Sequence, residues 1–248
     1  MAPSQYLKKE YSYNLLKPNE VTMKKLLFWM VLIVGIVALI GSCAKKDEDT
    51  AATAAADNTT STDNTTSTTS YISTTTTASG SITMGDDTLS GVYASECLTS
   101  ASTIAFFKAT GFWASEVNAY GQVFVVTGSD NISIELYAFT DTSCSNLSLS
   151  QKTVSDNVTV GSASGSNYPV TYNDQTKALT VHTTAAETTL ETLYSNAVNF
   201  IVGTPIELPV SGSGLRYGLW TLSGTTWYEA SSSSATPTSA GTVPHVKQ

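Results

Sequence analysis

The chain has 248 residues, and its 20 acidic residues outnumber its 12 lysines and arginines, which gives a net charge of −8. Only one of the basic residues is an arginine, Arg216. A protein that binds nucleic acid needs a basic surface to neutralise phosphates, so this composition excludes nucleic acid as a partner. The length is sufficient for one domain together with additional segments.

Residues 23–43 have the organisation of an export signal. Two lysines follow Met23, and an almost unbroken apolar run over 26–40 leads to two small residues and then to Cys43. The run has about 15 residues, whereas a helix that crosses a ~30 Å hydrocarbon core needs about 20. We therefore predict a cleaved signal peptide at 23–42, with an uncleaved signal anchor as the alternative. Residues 1–22 are interpreted as an extension upstream of the true start at Met23.

The end of this segment, Leu39-Ile40-Gly41-Ser42-Cys43, resembles the bacterial lipobox. There an aliphatic residue lies three places before an obligatory cysteine, and two small residues separate them. The resemblance implies that Cys43 carries a diacylglyceryl thioether and that its new amino group is acylated. Several acyl chains anchor a protein stably, whereas one does so only marginally. Ala44 follows the cysteine, and the resemblance then implies the outer membrane of a Gram-negative bacterium, on its periplasmic or surface face.

Residues 43–84 are predicted to form a lipidated, disordered tether. The segment is rich in Ser and Thr, and the unit Asp57–Thr62 is repeated at once as Asp63–Thr68. It contains few large apolar side chains, so it cannot recover the roughly 1–2 kcal/mol per residue that ordering its backbone would cost.

Residues 85–248 are predicted to form an all-β domain, because short apolar alternations are separated by Gly, Asn, Asp and Ser. In the clearest strand, Ile132, Ile134 and Leu136 alternate with polar residues, which gives one buried face. We predict an antiparallel barrel, with a β-sandwich as the alternative. The strands are predicted at 91–97, 103–109, 121–127, 132–139, 146–154, 157–160, 168–172, 177–182, 215–222 and 226–230, with a turn at 173–175.

One stretch has helical periodicity. Thr184 and Glu187 have the spacing of a capping box, and apolar residues follow at intervals of three and four. We predict one short amphipathic helix at 185–199.

If Cys43 carries the lipid, two of the three cysteines remain, Cys97 and Cys144. An even pair in an exported protein predicts a disulfide, which by the chain-entropy model contributes about 4 kcal/mol for a loop of this length. Metal binding by the pair is the weaker alternative, because neither the spacing nor a neighbouring histidine supports it.

The segments 91–97 and 137–144, which end in these two cysteines, resemble a pattern in calycin-like, lipocalin-related bacterial lipoproteins. In that family a cysteine of the first strand is joined to a cysteine just after a Tyr-x-x-x-Asp turn. The predicted helix at 185–199 and the hairpin at 219–227 also resemble elements of that family's architecture. The resemblance implies a calycin-like barrel over about 89–248 and the pairing of Cys97 with Cys144.

No nucleophile, metalloprotease or ligand-spaced motif is present, so we predict no catalysis, no cofactor and no metal. His182 and His245 are far apart in the sequence, and for His182 a structural role is predicted. Aromatic residues provide the only candidate binding surface, with ordinary core packing as the alternative. The candidate ligand-binding residues are Trp113, Phe124, Trp220 and Trp227.

Together these predictions describe a protein that Cys43 anchors to a membrane outside the cytoplasm. Its barrel is expected to bind a small apolar or amphipathic molecule, or a surface protein, without catalysis. The alternative function is a structural or adhesive surface protein that has no small-molecule ligand.

Overall fold

The computed structural model describes residues 71–210 and 212–248. The upstream extension, the signal peptide, Cys43 and residues 44–70 of the predicted tether lie outside the described residues.

The described chain forms eleven strands and two helices. In chain order they are β1 (Ile82–Met84), β2 (Asp87–Leu89), β3 (Val92–Ala94), α1 (Ala101–Ala109), β4 (Ala119–Val126), β5 (Ile132–Phe139), β6 (Leu147–Val160), β7 (Asn167–Val181), α2 (Thr184–Leu193), β8 (Ile206–Leu208), β9 (Leu215–Ser223), β10 (Thr226–Ser232) and β11 (His245–Lys247).

Eight of the strands close into an antiparallel barrel. Around the ring the order is β3, β4, β5, β6, β7, β9, β10 and β11, and β11 pairs with β3 to complete it. β8 lies outside this ring and pairs with the second half of β7. The predicted antiparallel barrel is therefore confirmed, and the sandwich alternative is not the fold.

Both ends of the barrel are covered. The β1–β2 hairpin buries Ile82, Met84 and Leu89 against the end where β4 stops and β5 starts. At the opposite end, α1 and α2 pack Ile104 and Leu190 against the strand ends that surround them. Apolar surface at each end is thus removed from water, and this burial stabilises the fold by roughly 25 cal/mol for each Å² of apolar surface.

The segment before the hairpin also contacts the barrel, although we predicted residues up to 84 as tether. Tyr71 bridges to Glu96, and Ile72 is buried against Gly121, where an added Cβ would lie 2.2 Å from the Ile72 side chain. We call residues 73–76 the strap, because they lie across the outer face of β5 and β6.

Several local predictions were wrong. Residues 103–109 form helix α1 and not a strand, because Ser100 caps its start by accepting a hydrogen bond from the Thr103 amide. Helix α2 ends at Leu193, before the predicted end, and its N-cap is Thr183. The turn predicted at 173–175 lies inside β7, which is one continuous strand, and β6 is likewise continuous across 155–156.

A disulfide joins Cys97 to Cys144, with their Cα atoms 5.8 Å apart, as predicted. Every barrel strand finds its partners between residues 71 and 248, and the core and both end covers belong to the same compact unit, Thr65–Gln248. This unit therefore has what a domain needs to fold alone. Across the described part of the chain, no helix has the length and apolarity to cross a membrane.

Candidate functional site

The wall of the barrel has a seam along β7. β9 pairs with β7 only at residues 167–173, and β8 pairs with it only at 177–179. Among the described residues, the three between, 174–176, pair with neither strand, although the Asp174 backbone N–H donates to the Gly214 carbonyl oxygen at 2.9 Å, just before β9 starts. A cavity of about 320 Å³ lies at this seam, and we call it the seam cavity. Its walls include Thr153, Tyr172, Asp174, Lys177, Arg216 and Ser231.

The seam cavity reaches the interior side of the sheet. Thr153 is paired with Ile134 on one side and with Lys177 on the other, and Ile134 is paired in turn with Phe124. Directly paired residues point to the same face of a sheet, and Phe124 belongs to the buried core. Lys177 therefore lies on the inner face of the barrel and not on its outer surface.

An ion pair forms one wall of the cavity. Arg216 Nε donates to Asp174 Oδ2 at 2.6 Å, and the Ser155 hydroxyl donates to Asp174 Oδ1 at 2.8 Å. Both carboxylate oxygens of Asp174 are thus occupied. Gly214 lets the backbone before β9 lie close to the backbone of Asp174. Its φ is +72°, and a Cβ there would lie 2.5 Å from the Asp174 carbonyl oxygen.

Among the described residues, Lys177 has no such partner. Its Nζ lies 5.7 Å from the centroid of the Phe112 ring, and the side chain is partly buried. Burial lowers the pKa of Lys177, the positive charge of Arg216 lowers it further, and Asp174 acts in the opposite direction. Two cationic groups therefore line the same partly desolvated cavity.

Two buried polar atoms lie just beyond the cavity wall. Glu229 and Trp220 are directly paired between β10 and β9, and Glu229 Oε1 and Trp220 Nε1 have no hydrogen-bond partner among the described residues. Burial raises the pKa of Glu229, while hydrogen bonds from Ser231 and Tyr172 oppose that shift. Leaving such a group unsatisfied costs about 1–3 kcal/mol.

The four predicted ligand-binding aromatics occupy the closed core. Each is at most 1% exposed. Phe124 and Trp220 pack on Trp227 with ring centroids 4.5 and 4.9 Å away, whereas Trp113 packs beneath α1 against Phe107. None of the four is in the wall of the seam cavity, so their role in binding a ligand stays a prediction.

The two histidines have different surroundings. His245 lies in β11 inside the barrel, 1% exposed, and burial lowers its pKa to about 4. Its Nε2 is 3.3 Å from Gln122 Oε1. His182 follows β7 on the outer face, where Nε2 is 3.0 Å from the Ser150 hydroxyl, and burial lowers its pKa.

A second cavity, of about 420 Å³, lies outside the barrel between the strap and the strands β6 and β7. Here Glu135, 3% exposed, accepts hydrogen bonds at 2.5 Å from the hydroxyls of Thr74 and Tyr137. Thr76 also donates to this carboxylate, and Lys152 Nζ donates to Thr76 at 2.8 Å. The Glu135 carboxylate and the Lys152 ammonium of this groove are therefore engaged in holding the strap.

Asp141 is a turn former in the loop between β5 and β6. It accepts hydrogen bonds from the backbone amides of Ser143, Ser145 and Asn146, and these bonds hold its pKa well below the ordinary value. Its carboxylate is thus committed to the β5–β6 loop.

No family model matches this chain, and no curated protein sequence matches it. The fold and the geometry of the seam cavity therefore carry the functional argument.

The sequence analysis missed the residues of the seam cavity. Asp174 was assigned to a turn and Lys177 to the start of a separate strand, so their shared inner face was not seen. One signal was available: Arg216 is the only arginine of the chain and lies within a predicted strand. An arginine in a barrel strand that faces the interior is rarely buried unless it is paired with an acidic group.

Proposed function

We propose that this protein is an exported, lipid-anchored barrel that takes a small amphipathic molecule into the seam cavity and releases it unchanged. The observation that carries the proposal is an opening of about 320 Å³ at a break in the barrel wall. That volume lies at the lower end of the range for small-molecule sites. Its wall combines apolar surface from Ile134 and Tyr172 with charged groups that fix orientation.

Export and anchoring rest on the sequence of residues 23–43, and the Cys97–Cys144 disulfide supports them. Disulfides form and persist in oxidising compartments outside the cytoplasm. A Cys43→Ala variant should move from the membrane fraction to the soluble fraction of its host. An unchanged membrane fraction would refute the lipid anchor.

Ligand binding is tested by native mass spectrometry of the protein purified from its own host. The expected result is a reproducible mass increment that disappears when the protein is unfolded and refolded. The absence of an increment, combined with no uptake of lipophilic dye, would contradict the proposal.

One observation favours a second function, the docking of a surface protein. The helix-covered end exposes large apolar side chains in α1, at the end of α2 and in the loop that follows α2, namely Phe106, Leu193, Ile201 and Val202, which are 40–52% exposed. Exposed apolar surface of this kind often marks an interaction site. If a cross-link between the lipid-anchored protein and a surface protein is lost in a Phe106→Ser, Ile201→Ser variant, with ligand uptake unchanged, that function would be supported over the first.

A further inference from the structure

The charges of the seam cavity do not balance. Lys177 and Arg216 supply two positive charges to its wall, and Asp174 supplies one negative charge. Glu229 lies behind Tyr172 and Ser231, and its burial favours the neutral acid. Among the residues that line the cavity, the two cations thus outnumber the one carboxylate, although the chain as a whole is acidic.

The cations also have donors to spare. A guanidinium has five N–H donors, and of those of Arg216 only Nε has a hydrogen-bond partner among residues 71–210 and 212–248. Within the same residues, the Lys177 ammonium has neither a hydrogen-bond nor an ion-pair partner, and it lies over the Phe112 ring. Donors of this kind recognise carboxylates and other acidic oxygens through charge-assisted hydrogen bonds.

A bound anion would relieve the repulsion between these groups. Arg216 disfavours the charged form of Lys177, and so does the burial of Lys177. An acidic group placed beside both cations would offset each of these effects, whereas a neutral or cationic group would not. The preference for an anion therefore follows from the arrangement of the site and not from its volume alone.

The apolar part of such a molecule has surface to contact. Ile134 and Tyr172 form part of the cavity wall, and Trp220 packs behind Tyr172 with their ring centroids 6.0 Å apart.

We infer that the seam cavity selects small organic anions, with an acidic group held by Lys177 and Arg216 and an apolar body against Ile134 and Tyr172. This inference deepens the proposed function and rests on it. It names the chemical class of the ligand, an amphipathic monoanion, and the two side chains that distinguish it from a neutral molecule of the same shape.

The test compares three probes that share an eight-carbon chain and differ in their head group: octanoate, octan-1-ol and octyltrimethylammonium. Each is titrated into the Thr65–Gln248 domain, with its disulfide intact, by isothermal calorimetry. The expected order of affinity is octanoate first, by at least about tenfold over octan-1-ol, with octyltrimethylammonium weakest.

Three variants assign the selectivity to its residues. Lys177→Met should reduce octanoate affinity to that of octan-1-ol, and Lys177→Arg should restore most of it. Lys152→Met is the matched control, because Lys152 lies on the outer face of β6 and is bound to the strap. It should leave octanoate binding unchanged. Circular dichroism confirms that each variant is folded.

The outcomes separate the inference from the proposed function. Equal binding of octanoate and octan-1-ol, or octanoate affinity that survives Lys177→Met, would overturn anion selection and leave the ligand-binding barrel in place. Binding of none of the three probes would overturn both.

Discussion

The interior of this barrel has two contrasting regions. Around Trp227, aromatic rings fill the space between the β-strands, and Tyr93, Phe124 and Trp220 contact it with centroids 4.5 to 5.6 Å apart. Around Lys177, an open cavity is lined by two cations that have donors without a partner in residues 71–210 and 212–248. The first region is what a folded barrel requires. In the second, Lys177 has no hydrogen-bond or ion-pair partner within the part of the chain that the structure describes, and this difference is why we assign function to the seam cavity.

The largest effect should come from emptying the filled region. Trp227→Ala removes a fully buried ring, and such changes cost about 3–5 kcal/mol because the cavity left behind only partly collapses. Denaturant unfolding of the Thr65–Gln248 domain measures the loss.

Phe106→Ala is the control for this prediction, since that ring is 40% exposed on α1. It should change the free energy of unfolding by less than about 1 kcal/mol. Similar losses for the two variants would contradict the view that the region around Trp227 is the stabilising core.

The filled region also contains a pH-sensitive group. His245 is neutral when buried and has a folded-state pKa of about 4, whereas in the unfolded chain it titrates near 6.5. The unfolded state therefore takes up a proton first as the pH falls. Stability should be complete above pH 6.5 and decline between pH 6.5 and 4, by up to about 3 kcal/mol.

Denaturant unfolding at a series of pH values measures this decline. His245→Gln removes the titrating group, and its stability should fall less steeply across the same interval. If the wild type and the variant had parallel profiles, burial of a neutral His245 would not be the cause.

The smallest effect on stability is expected in the seam cavity. Lys177→Met removes a partly buried charge that has no hydrogen-bond or ion-pair partner among the described residues, and methionine retains much of its packing. The free energy of unfolding should change by less than about 1 kcal/mol or increase, as measured by denaturant unfolding.

Arg216→Met is the contrasting variant, because it leaves the buried Asp174 carboxylate without its cation. It should be clearly less stable than Lys177→Met. A large loss for Lys177→Met would show that this lysine has a structural role.

The sequence predicted those parts of the fold that local patterns encode. Alternation identified β4 and β5, and helical spacing located α2 to within one residue at its start. Helix α1 was mistaken for a strand because it is short and rich in apolar residues, as a buried strand is. The N-cap at Ser100 was not recognised. The segment that supplies β1 was assigned to the tether because its Ser/Thr-rich sequence has few apolar residues to signal burial.

The site could not be predicted in the same way. Asp174 and Arg216 meet because β7 pairs with β9, and Lys177 faces inward because β7 continues through a predicted turn. These relations depend on tertiary pairing, which no short stretch of sequence encodes. The aromatic candidates were the more visible signal in the sequence, and the structure places them in the core.

The most direct test of the account is to locate a bound anion by NMR. Amide chemical shifts of the Thr65–Gln248 domain are compared with and without octanoate. We predict that the largest changes occur at residues 172–177, 215–217 and 229–233, which surround the seam cavity. Changes concentrated at the strap groove or at the exposed residues of α1 and α2, with the seam unaffected, would contradict it.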